Sequence, residues 1–162
     1  IGLELGSVYR RLGSEVTVVE FLDKILPGMD SEVSENFKKI LEKQGIKFKL
    51  STKVIFAENE EKQVKVLLEN VKDGNKEEIN TDILLISIGR IPNTQGIGLE
   101  DIGIKKDDKG RIIVDKHFRT NIGNIYAIGD VIKGPMLAHK AEEEAVAVAE
   151  IIAGQAGHVN YE

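Results

Sequence analysis

A chain of 162 residues can form one ordinary domain or parts of two, and 41% apolar with 30% charged residues places it among globular proteins. A net charge of −5 and the lack of a basic patch exclude nucleic acid and anionic membrane as expected partners. The absence of cysteine excludes disulfides, cysteine-ligated zinc and thiol redox chemistry within the chain, and no apolar run is long enough to span a bilayer. The first residues also lack the charged and apolar regions of a secretory leader.

In chain order, Ile1-Gly-Leu-Glu-Leu-Gly6 opens a helical pattern that runs to Leu12 and stops at Gly13, followed by a strand over Glu15-Val-Thr-Val-Val-Glu20. In a dinucleotide-binding βαβ unit the third glycine of G-x-G-x-x-G packs helix against strand, and an acidic residue about 20 positions after the motif begins binds the adenosine ribose. Gly2 fits that glycine and Glu20 that acid. The first strand and first two glycines of such a fingerprint would lie before Ile1, so the chain reads as cut inside it. A carboxylate at Glu20 accepts from a ribose 2′-hydroxyl and repels a 2′-phosphate, which favours NAD over NADP. An ordinary surface glutamate at a strand end is the alternative. Gly6 suits close helix packing.

A second helix is expected from Ser31, with Asp30 or Ser31 as its cap, Val33, Phe37, Ile40 and Leu41 on one face and Gly45 as its stop. Strands follow at Lys47–Leu50 and Lys53–Ala57. A hairpin-like pair spans 63–71 and 78–80 around Asp73-Gly74-Asn75. Asp82-Ile-Leu-Leu-Ile-Ser-Ile-Gly89 has the continuous apolar character of a buried strand ending in glycine, and Arg90-Ile-Pro92 ends regular structure. Further on, 111–115 and 125–128 read as short strands, and Ala138–Ala153 as an alanine-rich helix closed by Gly154.

The segment Thr120-Asn-Ile-Gly-Asn-Ile-Tyr-Ala-Ile-Gly-Asp130 carries the clearest chemistry. A strand that runs into Gly-Asp delivers a carboxylate at the carboxyl edge of a sheet, where open α/β folds receive ligands. Gly129 admits a ligand close to the backbone, and Asp130 accepts hydroxyl hydrogen bonds, as flavoproteins do at the ribityl chain of FAD. An aspartate in this position also caps turns.

Together Ile1-Gly-Leu-Glu-Leu-Gly-Ser7, Arg11-Leu-Gly13, Val18-Val-Glu20, Ile88-Gly-Arg90, Ile125–Asp130 and Gly134-Pro-Met-Leu-Ala-His-Lys-Ala-Glu142 resemble the dihydrolipoamide dehydrogenases, a branch of the pyridine nucleotide-disulfide oxidoreductase family. The Gly134–His139 run is the most specific part, since the other motifs mark the wider family. The resemblance implies an α/β fold: a Rossmann-like, three-layer NAD-binding domain of the FAD/NAD(P)-binding type over residues 1–92, lacking its first strand. Residues 93–162 would be the segment returning to the FAD-binding domain. It also implies FAD and NAD as cofactors. Ile1, Gly2, Leu3 and Glu4 would lie beside the NAD pyrophosphate and nicotinamide, Glu20 on the adenosine ribose, Val54 beside adenine and Gly89 near the ribose. Asp130 would hold the ribityl chain, and Met136, Leu137, Ala138 and His139 would run along the isoalloxazine edge, largely through backbone groups. Glu4 also reads as an exposed helix residue, and Met136 as core filling.

The family's redox-active cysteine pair and catalytic histidine lie in segments not found here, so no catalytic residue is assigned within this chain. His139 is expected to position its loop or cap the helix, and His117 and His158 lack metal-ligand spacing, so no metal site is assigned. The implied partners of the intact enzyme are dihydrolipoamide on lipoyl domains of 2-oxoacid dehydrogenase or glycine cleavage complexes, and a second copy in a homodimer. The implied compartment is the bacterial cytoplasm or the mitochondrial matrix. Two alternatives stand beside this reading: another flavin disulfide reductase or NADH oxidase, and a stand-alone NAD-binding module, which would have no use for a flavin motif.

Overall fold

The computed structural model describes residues 1–161 and divides into two compact units, Ile1–Ser87 and Ile88–Glu162. In the first, helix α1 (Gly2–Arg11) is followed by β1 (Thr17–Val19), α2 (Ser31–Lys43) and β2 (Lys47–Lys49), with β1 and β2 paired in parallel. The chain therefore makes a β–α–β crossover, the connection that parallel strands require. Three antiparallel strands follow, β3 (Thr52–Asn59), β4 (Val64–Asn70) and β5 (Lys76–Thr81), in the order β3-β4-β5.

Local chemistry accounts for these elements. The Asp30 carboxylate accepts from the backbone N–H of Glu32 at 2.9 Å and of Val33 at 3.4 Å, satisfying two donors that the first turn of α2 would otherwise leave unpaired. Gly45 takes a φ of 91° just beyond the end of the helix. Replacing Asp30 with alanine is expected to cost about 1 kcal/mol, measured as a lower urea midpoint at unchanged slope. The buried stripe of α2 is displaced from the expected face. Ser34 and Leu41 are buried and Phe37 half-buried, whereas Val33 and Ile40 are exposed, because the Ser34 hydroxyl donates to the Ile25 carbonyl and turns that side of the helix inward. The core here is Ile25, Leu41 and Ile46, with Leu3, Val16, Val18 and Phe48 packed around it. Val66 and Leu68 fill the inner positions of β4.

The segment 82–89 departs from expectation. It forms no strand, and Ile83, Ile86 and Ile88 are exposed, Ile88 at 94%. A strand buried on both faces needs a paired neighbour to take its backbone hydrogen bonds, and β1 and β2 are paired with each other while this segment has no ladder partner among the described residues.

The second unit has little regular structure: a 3₁₀ turn at Gly129–Val131 and helix α3 (Ala138–Ile152). The short strands expected at 111–115 and 125–128 reduce to single bridges, Lys106 with Ile112 and Arg119 with Tyr126. Side-chain turns interrupt both: Asp107 accepts from the backbone of Lys109 and Arg111, and Asp115 from that of His117 and Arg119. The second of these turns holds Phe118 at a φ of 62° with its ring in the core. That core joins Ile104, Ile112, Phe118, Ala127 and Ile132 to Ala147 and Val148 of α3. Among the described residues no helix is long and apolar enough to cross a membrane.

Candidate functional site

Each unit carries its own set of the residues singled out in the sequence. In the first, Gly2 is the first residue of α1. A Cβ built there would lie 2.4 Å from the Ser87 hydroxyl, so the start of the helix is in close contact with the end of the 82–87 segment. Buried Gly6 lies one turn on, where a Cβ would be 3.4 Å from Val16 Cγ1. Ile1 is the N-cap and makes no side-chain cap hydrogen bond, so the N–H groups of the first turn are not satisfied by a cap. Leu3 packs on the Ile25–Leu41–Ile46 core, and Glu4 is exposed.

Glu20 is half-buried just past the end of β1 and is fixed through its backbone: its N–H donates to the Lys49 carbonyl, and its own carbonyl accepts from Thr52 N–H, each at 3.0 Å. Its Oε1 accepts from Leu22 N–H at 2.9 Å, which orients the carboxylate and leaves Oε2 for another donor. The bond to Thr52 brings the start of β3 to Glu20, and exposed Val54 follows two residues later at a bulge, where the register with β4 shifts between Val54 and Phe56. Bulges re-aim side chains beside binding sites. The first-unit set is thus Gly2 to Glu4 on α1, Glu20 just past the end of β1, and Val54 on β3. Gly89 belongs to the second unit, where it has a φ of 109° and open space on its Cβ side.

In the second unit, Thr120 is buried and closes the turn before the Gly-Asp pair: its N–H donates to the Ile125 carbonyl and its hydroxyl accepts from Ile122 N–H. Gly129 has a φ of 71°, and a Cβ there would lie 3.1 Å from Ala141 Cβ, so the turn rests against α3. Asp130 is half-buried, with its Oδ2 2.5 Å from Arg90 Nη2. Leu137 is the N-cap of α3 without a side-chain cap bond, and Met136 to His139 lead into and form the first turn, with Leu137, Ala138 and His139 exposed and Met136 half-buried.

Behind these residues lies a group the sequence reading missed. Glu144 is 0% exposed and Lys140 7%, and their charged atoms are 2.7 Å apart. Glu144 Oε2 accepts from Gly129 N–H at 2.7 Å, Oε1 accepts from the Tyr161 hydroxyl at 2.6 Å, and Lys140 Nζ donates to the Gly129 carbonyl at 3.4 Å. Burial pushes the Glu144 carboxyl up, but the bonds from Lys140, Tyr161 and Gly129 outweigh it and hold it below its ordinary value. Burial and then the bond to Glu144 push the Tyr161 phenol up to about 12. Lys and Glu one helical turn apart was the only local signal of this pair, and on an alanine-rich helix it reads as a solvated face. Arg90 opens the loop at Arg90-Ile-Pro92, with nothing local in sequence to mark it as the partner of Asp130. No group of three or more histidine or acidic side chains that could hold a metal occurs among the described residues.

A β–α–β crossover opened by a tightly packed glycine, with an acid past its first strand, and a second unit built on a Gly-Asp turn define an α/β protein of the FAD/NAD(P)-binding kind. The model of the family described as pyridine nucleotide-disulphide oxidoreductase matches residues 1–145, and the chain belongs to that family. The family's cofactors are FAD and NAD. The chain is 57% identical to the dihydrolipoamide dehydrogenase of Chaetomium thermophilum, over 99% of its own length and 32% of that protein's. It is 52% identical to the mitochondrial dihydrolipoyl dehydrogenase of Pisum sativum, over 100% and 32%. Its backbone resembles the HOCl-induced flavoprotein disulfide reductase RclA from Escherichia coli with a TM-score of 0.82 and 29% identity, over 96% of this chain and 34% of that one. The chain thus spans about a third of the length of these relatives.

Proposed function

We propose that this chain is the NAD-binding and flavin-adjacent third of a dihydrolipoyl dehydrogenase, which reoxidises dihydrolipoamide carried on lipoyl domains of 2-oxoacid dehydrogenase or glycine cleavage complexes. The observation that carries the reading is the 57% identity to a dihydrolipoamide dehydrogenase across 99% of the chain. Residues 1–92 form the NAD-binding domain and 93–162 the part returning to the FAD-binding domain. The intact enzyme works as a homodimer, in the mitochondrial matrix or a bacterial cytoplasm, and four of the relatives are named as mitochondrial.

The residues present fit the two cofactors. Gly2, where a side chain would strike Ser87, lets the start of α1 pack closely on the end of the 82–87 segment, and the uncapped amides of Gly2, Leu3 and Glu4 offer donors to a pyrophosphate, with Ile1 alongside. The Oε2 of Glu20 accepts the ribose 2′-hydroxyl, and exposed Val54 gives apolar surface for adenine. Asp130 accepts ribityl hydroxyls beside the guanidinium of Arg90, and the uncapped start of α3 at Met136, Leu137, Ala138 and His139 meets the flavin edge. When bound, FAD and NAD supply the electron and hydride transfer, while this chain binds and orients them. The disulfide that exchanges electrons with the lipoyl thiols comes from cysteines outside this chain.

The full-length protein is expected to reduce NAD with dihydrolipoamide as donor and to use NADP poorly. Glu20→Ala is expected to cut the NAD/NADP ratio of kcat/KM by about tenfold or more, the worth of one charge-assisted hydrogen bond. A wild-type preference for NADP would overturn the role given to Glu20. Inertness toward dihydrolipoamide with reduction of another disulfide would favour a different flavin disulfide reductase, the reading that the likeness to RclA supports.

A further inference from the structure

We infer that Lys140 and Glu144 are positioning residues for the flavin: their buried ion pair clamps both polar groups of Gly129 and so sets the direction in which Asp130 presents its carboxylate. This rests on the reading that Asp130 holds the ribityl chain. The N–H of Gly129 goes to Glu144 at 2.7 Å and its carbonyl takes a bond from Lys140 at 3.4 Å, while the two side chains meet at 2.7 Å. A residue held at both ends by one rigid pair cannot swing, and Asp130 is the next residue.

The same pair ties together the two pieces of the proposed flavin site. Lys140 is the third residue of α3, immediately after Met136 to His139, so the clamp fixes the Gly129–Asp130 turn against the first turn of that helix. Two further contacts close the arrangement. A Cβ on Gly129 would come 3.1 Å from Ala141, and one on Gly134 only 2.7 Å from Lys140 Cε, so the loop joining turn and helix lies directly on the lysine stem. Burying two charges carries a large desolvation cost that apolar side chains would avoid, so stability alone does not account for this choice, whereas a fixed orientation does. Tyr161 adds a third donor to Glu144, leaving both carboxylate oxygens occupied.

The test uses the full-length holoprotein, stripped of flavin and titrated with FAD, with flavin fluorescence and the visible spectrum as readouts and NADH affinity and apoprotein melting as controls. Lys140→Met/Glu144→Leu buries no charge and releases Gly129. It is expected to weaken FAD binding by about tenfold or more and alter the bound flavin spectrum, with NADH affinity unchanged. Lys140→Met/Glu144→Gln returns an acceptor to the Gly129 N–H and is expected to recover much of that loss. Wild-type FAD affinity in the leucine variant would overturn the inference. So would failure of the glutamine variant to recover any of it, or a loss of FAD that follows apoprotein melting across both variants with NADH binding falling alongside. Asp130→Ala separates the two layers: if it binds FAD as the wild type does, the flavin reading itself fails, whereas lost FAD binding there beside wild-type binding in the leucine variant overturns only the clamp.

Discussion

Replacing Lys140 alone with methionine is expected to lower unfolding stability by about 3–5 kcal/mol at neutral pH, because it leaves the Glu144 carboxylate buried without its cation. The urea midpoint followed by circular dichroism reads this effect. The pH dependence gives the cause a signature. In the wild type the Glu144 carboxyl is held below its ordinary 4.5, so its contribution is complete above that pH and is lost as pH falls through the lower folded value. Without Lys140, burial dominates and the carboxyl rises above 4.5, so acidification from neutrality toward pH 5 neutralises the stranded charge and narrows the gap between variant and wild type. Lys140→Met/Glu144→Gln, which removes both charges and keeps an acceptor for Gly129, should recover most of the loss. A deficit that stays constant from pH 8 to pH 5 would contradict this account.

The elements legible in the sequence are those whose signals are local. Asp30 caps α2 through bonds within three residues of itself, Gly45 stops it with a positive φ, and Asp73 folds the β4–β5 turn by accepting from Asn75 N–H. The segment 82–89 failed because its apolar run specifies burial only if other strands flank it, a condition its own residues do not contain. At 111–128 the apolar residues do reach the core, but the Asp107 and Asp115 turns bend the backbone before ladders can form. The candidate site divides in the same way. Gly2, Glu20 and Asp130 follow from glycine and carboxylate spacing, whereas Arg90 meets Asp130 across forty residues and the third donor to Glu144 comes from Tyr161, so only folding reveals them. A lysine and a glutamate one turn apart look the same in sequence whether they face water or a buried glycine.

Gly157→Ala is expected to be a second severe substitution. A Cβ at that position would lie 2.1 Å from the Ala147 carbonyl oxygen, 2.9 Å from its carbonyl carbon and 3.1 Å from its Cα. All three are backbone atoms in the middle of α3, so no rotamer change relieves the clash and the 154–161 segment must move off the helix. Overpacking of this kind costs about 1–3 kcal/mol, and a clash with helix backbone belongs at the upper end. The movement also has a specific readout, because this segment carries Tyr161 to Glu144. The Tyr161 phenol, pushed up to about 12 from 10.0, contributes stability that is fully present below pH 10 and lost as pH rises through about 12. The titration of the Tyr161 phenol near 12, followed by ultraviolet absorbance, should be absent from both Gly157→Ala and Tyr161→Phe. Tyr161→Phe should lose that phenol with a much smaller fall in stability, since it removes one hydrogen bond and creates no clash. If Gly157→Ala keeps the late-titrating phenol, the segment has stayed on α3 and the helix has yielded instead, which would place the strain in the element that carries Lys140 and Glu144.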